Sequence, residues 1–70
     1  MRLSEAKTGD ELCIVDTSAT GRARARLDSL GLVAGEKVNV LSSSYAGQII
    51  QIKGSRLAIC KAVADTLVVA

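Results

Sequence analysis

Apolar and polar residues alternate over short stretches of this chain, which is the period of a half-buried strand. The clearest case is the segment 36–43, where Val38 and Val40 lie on one face and Lys37 and Asn39 on the other. Segments rich in β-branched or aliphatic residues predict four more strands, at 11–17, 48–53, 56–60 and 66–70. Short strands joined by tight turns favour a mainly β fold, a small barrel that leaves few exposed sheet edges.

The segment 21–30 predicts an inserted α-helix, although its arginines alternate as they would in a strand. Ala, Arg and Leu are strong helix formers, and Ala is depleted in strands. Thr20 is the candidate cap at the start, and Gly31 stands where a left-handed residue commonly ends a helix. Two shorter helical turns are predicted, at 4–7 and 61–65.

A helix distributes the three arginines of this segment over two sides. At about 100° per residue, Arg22 and Arg26 are neighbours and Arg24 lies nearly opposite. The apolar stripe that we expect to pack on the core consists of Ala23, Leu27 and Leu30. The arginines have two interpretations, a solvated helix face or a surface that pairs with the carboxylates of a partner.

Glycines mark the predicted turns. Gly35 follows Ala34 where a type II turn requires a positive φ. The segment 42–47 is predicted to be a hairpin loop, and Gly54-Ser55 a tight turn. We expect structural turn roles for Gly9, Gly31, Gly35, Gly47 and Gly54.

Length and composition bound the function further. Seventy residues predict one domain over 1–70, with a core of aliphatic residues because the chain has no Trp or Phe. So small a core is only marginally stable, which leaves docking on a partner or a weak homo-oligomer as sources of added stability. A net charge of +2 is less basic than dedicated nucleic-acid binders usually are.

Candidate chemistry is sparse. The chain has no His and no glycine-rich phosphate loop, so we expect no enzyme activity. Cys13 and Cys60 lie far apart and are expected to be reduced, largely buried hydrophobic residues, and the scattered carboxylates to be surface charges. No metal or cofactor is therefore expected. Tyr45, the one aromatic residue, is expected to pack within its loop, with an interface anchor as the alternative.

The two ends of the chain suggest a cytoplasmic protein. Charged residues near the N-terminus interrupt any apolar signal sequence. The longest weakly polar stretch, 57–70, contains Lys61 and Asp65 and is too short to span a bilayer.

Several short motifs, weak singly but ordered along the whole chain, resemble the FeoA family of bacterial ferrous iron transport proteins. The motifs are Leu3-Ser4-Glu5-Ala6 with Gly9, Arg26-Leu27 with Leu30-Gly31-Leu32 and Gly35, Val38 and Val40, Gly47, Gly54, Leu57-Ala58-Ile59 and Ala64. The resemblance implies an SH3-like β-barrel with an inserted helix and no catalysis. It also implies a partner, the membrane iron transporter FeoB, which would hold the protein at the cytoplasmic side of the inner membrane.

Two functional hypotheses follow. The first is an accessory protein that docks on FeoB through the helix, with the candidate surface Arg22, Arg24 and Arg26 flanked by Leu32 and Val33. The second is a small barrel that binds nucleic acid through the same arginines together with Lys53 and Arg56, or a stand-alone regulatory domain related to metal-dependent repressors. The absence of stacking aromatic residues weighs against single-stranded nucleic acid, so no nucleic-acid partner is expected.

Overall fold

Five antiparallel strands form one sheet in the computed structural model, which describes residues 1–70. The elements in chain order are a 3-10 turn (Leu3–Glu5), β1 (Glu11–Thr17), α1 (Gly21–Ser29), β2 (Lys37–Ser44), β3 (Gly47–Ile52), β4 (Ser55–Cys60), α2 (Lys61–Ala64) and β5 (Leu67–Val69). The strand order across the sheet is β4-β3-β2-β1-β5. The predicted strands and the inserted helix are confirmed to within a few residues at each end.

Strand β1 pairs with β2 on one side and with β5 on the other. Leu12, in its first half, lies opposite Val38 of β2, whereas Ile14 and the residues after it pair with β5. A register irregularity between Ile14 and Asp16 marks the change, and such irregularities bend a strand. The sheet therefore curves around one core, which contains Leu3, Ala6, Ile14, Ala19, Leu27, Leu32, Val38, Val40, Ile50, Ile52, Ile59, Ala64, Leu67 and Val69. This arrangement confirms the mainly β fold class.

Helix α1 ends in a Schellman motif. Gly31 has a φ of +82°, and its N–H donates to the carbonyl of Asp28 at 3.1 Å. The N–H of Leu32 donates to the carbonyl of Leu27 at 2.9 Å. Both leucines are buried, which supplies the apolar contact that usually accompanies this motif. At the other end Thr20 occupies the cap position, but its side chain makes no capping hydrogen bond, so the predicted capping interaction is wrong.

The turns differ from expectation at the two hairpins. The β3–β4 turn consists of Lys53 and Gly54, with φ values of 50° and 78°, one residue earlier than predicted. Two consecutive positive φ values are typical of the type I′ turn, whose twist matches that of the flanking strands. The β2–β3 hairpin is also tighter than predicted, because the strands extend until only Tyr45 and Ala46 remain between them.

Gly47 is not a turn residue, contrary to prediction. It is the first residue of β3 and lies opposite Cys60 of β4. A Cβ atom at this position would collide with the backbone carbonyl of Ile59, so the close approach of the two strands requires glycine there. The other four glycines with predicted turn roles do have positive φ values: Gly9, Gly31, Gly35 and Gly54.

A buried glutamine of β3 forms hydrogen bonds to the N-terminal segment. Gln48 is 5% exposed, and its Nε2 donates to the carbonyls of Leu3 at 2.8 Å and Ala6 at 3.4 Å. The same segment runs along the outer edge of β5, where the N–H of Val69 donates to the carbonyl of Met1 at 2.7 Å.

Candidate protein-docking site

A groove of about 510 Å³ separates α1 from β4 and α2. Volumes of this size are common for binding clefts in proteins. The groove is lined mainly by apolar side chains, which include Ala23, Leu27 and Leu30 of α1, Ala58 and Ile59 of β4, and Ala62 and Val63 of α2. Its apolar lining makes the groove a candidate surface for docking another protein.

The apolar stripe of α1 forms one wall of this groove and is not wholly committed to the core. Leu27 is 4% exposed and packs on the core as predicted. Leu30, however, is 40% exposed, and Ala23 is also exposed. The expectation that all three pack inward is therefore wrong for two of them, because the gap between α1 and β4 leaves them facing the groove.

The three arginines of α1 are exposed and lie on two sides of the helix. Arg26 lines the groove, whereas Arg24 lines a second recess of about 250 Å³ that also contains Asp28 and Val33. This placement agrees with the helical interpretation of the segment and shows that the alternation of Arg22, Arg24 and Arg26 does not produce one basic face.

None of these arginines has an acidic partner. The two ion pairs of the protein join Lys53 to Glu36 at 3.1 Å and Lys61 to Asp65 at 3.4 Å. Arg26 therefore presents an unpaired guanidinium beside an apolar groove. Such a group is suited to binding a carboxylate on another molecule in bidentate geometry.

Leu32 cannot belong to a docking surface, contrary to the prediction. It is 1% exposed, because the Schellman motif at the end of α1 turns it into the core against Leu27. Val33 is half-buried and faces the recess on the Arg24 side. The motif that ends in Gly31 is visible in the sequence, so the burial of Leu32 could have been inferred from it.

Asp65, at the end of α2, pairs with the ammonium group of Lys61 at 3.4 Å. The Ser4 hydroxyl, followed by the hydrogen bond and charge of Lys61, holds the pKa of the Asp65 carboxyl below its ordinary value. The carboxylate is thus charged at neutral pH, and Lys61 contributes less free positive charge here than Arg26 does.

Two further expectations about single residues are wrong. Cys60 is exposed, because it lies at the end of β4 where the chain turns into α2, and Cys13 is half-buried; both thiols are free. Tyr45 is 93% exposed, since the tight hairpin offers its ring nothing to pack against. The alternative for Tyr45, an interface anchor, remains a prediction.

The acidic and thiol side chains do not form a cluster. No group of three or more such residues lies close enough together to hold a metal ion. No helix of the protein has the length and apolar character that crossing a membrane requires.

The match to known families extends over the whole chain. The sequence profile of the FeoA domain matches residues 1–70. The protein belongs to the FeoA family. Membership links the chain to ferrous iron transport, as the resemblance in its sequence motifs implied.

Solved structures of FeoA proteins are similar to this family member in fold and sequence. An iron uptake regulatory protein, FeoA, is 37% identical with a TM-score of 0.93, over 99% of this chain and 93% of that one. The FeoA of Stenotrophomonas maltophilia, described as an SH3 domain protein and solved with zinc, is 25% identical with a TM-score of 0.86. That similarity covers 100% of this chain and 89% of the other. The SH3-like fold is thereby confirmed.

The same fold occurs inside a larger protein. A manganese-dependent transcriptional repressor is 18% identical with a TM-score of 0.87, over 96% of this chain but 39% of that one. At this identity the likeness concerns the fold alone. No curated protein is similar enough in sequence to count as a match.

Proposed function

We propose that this FeoA family member is a cytoplasmic accessory protein of ferrous iron uptake that docks on the FeoB membrane transporter. The observation that carries the proposal is the open apolar groove between α1 and β4–α2, with the unpaired Arg26 at its wall. An apolar centre bordered by arginine is the composition that protein interfaces favour. Membership of a family linked to ferrous iron transport supports FeoB as the partner.

The arrangement of α1 supports a particular set of residues for the proposed docking surface. Arg26 and Leu30 face the groove, and Arg22 lies one helical turn before Arg26 on the same side. Arg24 and Val33 belong to the opposite recess. The proposed docking surface therefore comprises Arg22, Arg26 and Leu30, and Arg24 provides a matched control on the same helix.

The test is capture of FeoB from detergent-solubilised membranes of the native cell on the immobilised protein. We expect the double variant Arg22→Glu/Arg26→Glu to lose capture and to lower ferrous iron uptake in cells, whereas Arg24→Glu retains both. All three positions are exposed, so the thermal midpoint should change little in either variant. Full capture and uptake with the double variant would show that the groove side of α1 is not the docking surface.

Nucleic-acid binding is the weaker candidate. Its predicted basic set is divided, because Lys53 is paired with Glu36 and Arg24 faces away from Arg26. A protein that neutralises phosphates binds more weakly as salt rises. Salt-sensitive retention on a DNA or RNA column at low ionic strength would favour this candidate, and we expect no retention.

A further inference from the structure

One edge of the five-stranded sheet is covered by another segment of the chain, and the other edge is open. The outer edge of β5 is covered by the N-terminal segment, through a bridge between Arg2 and Val68 and the hydrogen bond from Val69 to Met1. The outer edge of β4 has no such cover. Proteins usually protect sheet edges, because an open edge presents unpaired backbone groups to any extended chain.

The open groups of β4 belong to Arg56 and Ala58. The type I′ turn makes Ile52 and Ser55 a hydrogen-bonded pair, so by alternation Leu57 and Ile59 also point their backbone groups toward β3. The N–H and C=O of Arg56 and Ala58 then point away from the sheet. Neither residue takes part in any hydrogen bond outside the strand ladders.

This open edge borders the groove. Ala58 lines the groove together with Leu30 and Arg26, and it also lines a shallow recess on the outer face of the sheet beside Ile49. Ile49 is 44% exposed. Successive side chains of an added strand would therefore alternate between the groove, which has Arg26 at its wall, and the outer face of the sheet, where Ile49 is exposed.

We propose that the free edge of β4 binds an extended protein segment of alternating apolar and acidic residues, which adds to the sheet as a sixth strand between β4 and α1. The proposal rests on the proposed function in that the segment belongs to a protein partner. Its acidic character follows from charge, because Arg26 on the groove side and Arg56 on the edge both lack carboxylate partners. Strand addition of this kind gains affinity from backbone hydrogen bonds and specificity from alternate side chains.

A second copy of the chain fits this edge less well. Pairing of β4 with its counterpart would bring the Arg26 and Arg56 side chains of both copies to one interface, where like charges repel and lower affinity. An acidic segment meets the same arginines with the opposite charge. Charge complementarity thus selects a partner segment over self-association.

The probe is a synthetic peptide of alternating valine and glutamate, added to the isotope-labelled protein. We expect the free protein to exchange the amide hydrogens of Arg56 and Ala58 rapidly, and saturating peptide to slow both by at least about tenfold. Slower exchange at these two amides is the specific signature of strand addition, since a peptide that binds only the side chains of the groove leaves them open. Peptide binding without this protection overturns the proposal.

The decisive variant is Ala58→Pro, with Ala58→Val as its control. Proline removes an N–H that points to solvent, a position where edge strands tolerate it, so the barrel should remain folded. We expect peptide affinity to fall by about tenfold or more, as for the loss of one to two backbone hydrogen bonds. Ala58→Val keeps the N–H and adds side-chain bulk at the same position, so the difference in affinity between the two variants isolates the effect of the N–H. Equal affinity for the proline and valine variants overturns the proposal.

A third variant keeps the proposal testable if Ala58→Pro fails to fold. It also tests whether the positive charge of Arg56 contributes to peptide binding. Arg56→Glu leaves every backbone group in place, and we expect it to weaken the acidic peptide several-fold while it strengthens a valine–lysine peptide. Concentration-dependent dimerisation that Ala58→Pro abolishes would identify a second copy as the occupant and overturn the acidic partner.

Capture of FeoB separates this proposal from the proposed function. If Ala58→Pro captures FeoB as well as the unmodified protein does, strand addition is wrong while docking on FeoB stands. If the unmodified protein captures no FeoB but the peptide protects both amides, strand addition stands and FeoB is the wrong partner.

Discussion

Gln48 shows how one polar side chain holds the start of this chain in place. Its Nε2 donates to two carbonyls of the N-terminal segment and lies 3.4 Å from the hydroxyl of Ser43. Its Oε1 is buried with no hydrogen-bond partner. The side chain therefore combines favourable contacts with one unsatisfied atom, and its net contribution depends on which effect is larger.

We expect Gln48→Leu to lower the free energy of unfolding by about 1 kcal/mol. The substitution leaves the carbonyl of Ala6 with only the weak contact from Ser43, and the loss of a buried partner costs roughly 1–3 kcal/mol. Removal of the unsatisfied Oε1 offsets part of that cost. Urea denaturation of the variant and the unmodified protein measures this change in the free energy of unfolding.

Gln51→Leu is the matched control, because Gln51 lies on the same strand and its side chain makes no hydrogen bond. We expect a change within about 0.5 kcal/mol there. A Gln48→Leu variant as stable as the control would mean that the unsatisfied oxygen cancels the hydrogen bonds.

The roles of Gln48 and its neighbour Gly47 had no signal in the sequence. Gln48 lies in a strand whose bounds were predicted to within one residue, but its carbonyl partners are more than forty residues away. Gly47 looked like a turn residue because it follows a serine-rich loop, whereas its real constraint is the carbonyl of Ile59. Both roles depend on contacts between segments distant in sequence, which local propensity does not describe.

At the level of elements, the turn after α1 behaves as its sequence predicts. The N–H of Glu36 donates to the carbonyl of Val33 at 3.2 Å, and Gly35 has a φ of +95°. These features describe a type II turn with Ala34 at its first central position. Ala34 is exposed, and its N–H makes no hydrogen bond to the backbone or to a side chain.

We expect Ala34→Pro to raise the free energy of unfolding by about 0.4–1 kcal/mol. Proline suits this position of a type II turn, and it restricts the unfolded chain without removing a hydrogen bond. For so small a domain the melting temperature should rise by roughly 2–8 °C, which calorimetry can measure.

Ala46→Pro is the control for that substitution. Ala46 is also exposed and lies in a turn, but its N–H donates to the Ser44 hydroxyl at 3.3 Å. We expect no stabilisation there. A melting temperature for Ala34→Pro that is unchanged or lower would contradict the turn assignment.

The sequence predicts helices and strands well where residue propensity and periodicity define them. It does not predict how far apart they pack. The bounds of α1 follow from helix-forming residues and Gly31, and the strands from alternation and β-branched composition. The candidate site was predicted in part, because the periodicity of the helix separates Arg24 from Arg26. The exposure of Leu30 and the groove itself depend on how far α1 stands from β4, a distance that no periodicity in the sequence encodes.

For the whole molecule, α1 is attached to the core through few side chains. Leu27 is its one buried residue, and Leu32 follows as the second contact with the core. A domain of this size has a total stability of roughly 4–10 kcal/mol, at about 0.05–0.15 kcal/mol per residue. Because Leu27 and Leu32 make these contacts, they hold α1 at the distance from β4 that leaves the groove open.

Truncation of Leu27 should therefore mainly affect stability, whereas truncation of Leu30 should mainly affect binding. We expect Leu27→Ala to lower the free energy of unfolding by about 2–5 kcal/mol, because it leaves a cavity where α1 meets the core. Leu30→Ala, on the same helix face but 40% exposed, should change stability by less than about 0.5–1 kcal/mol and weaken FeoB capture. Urea denaturation and the capture assay measure the two effects separately. Equal losses of stability in the two variants, with capture unaffected by Leu30→Ala, would mean that both leucines serve the core and that the groove binds nothing.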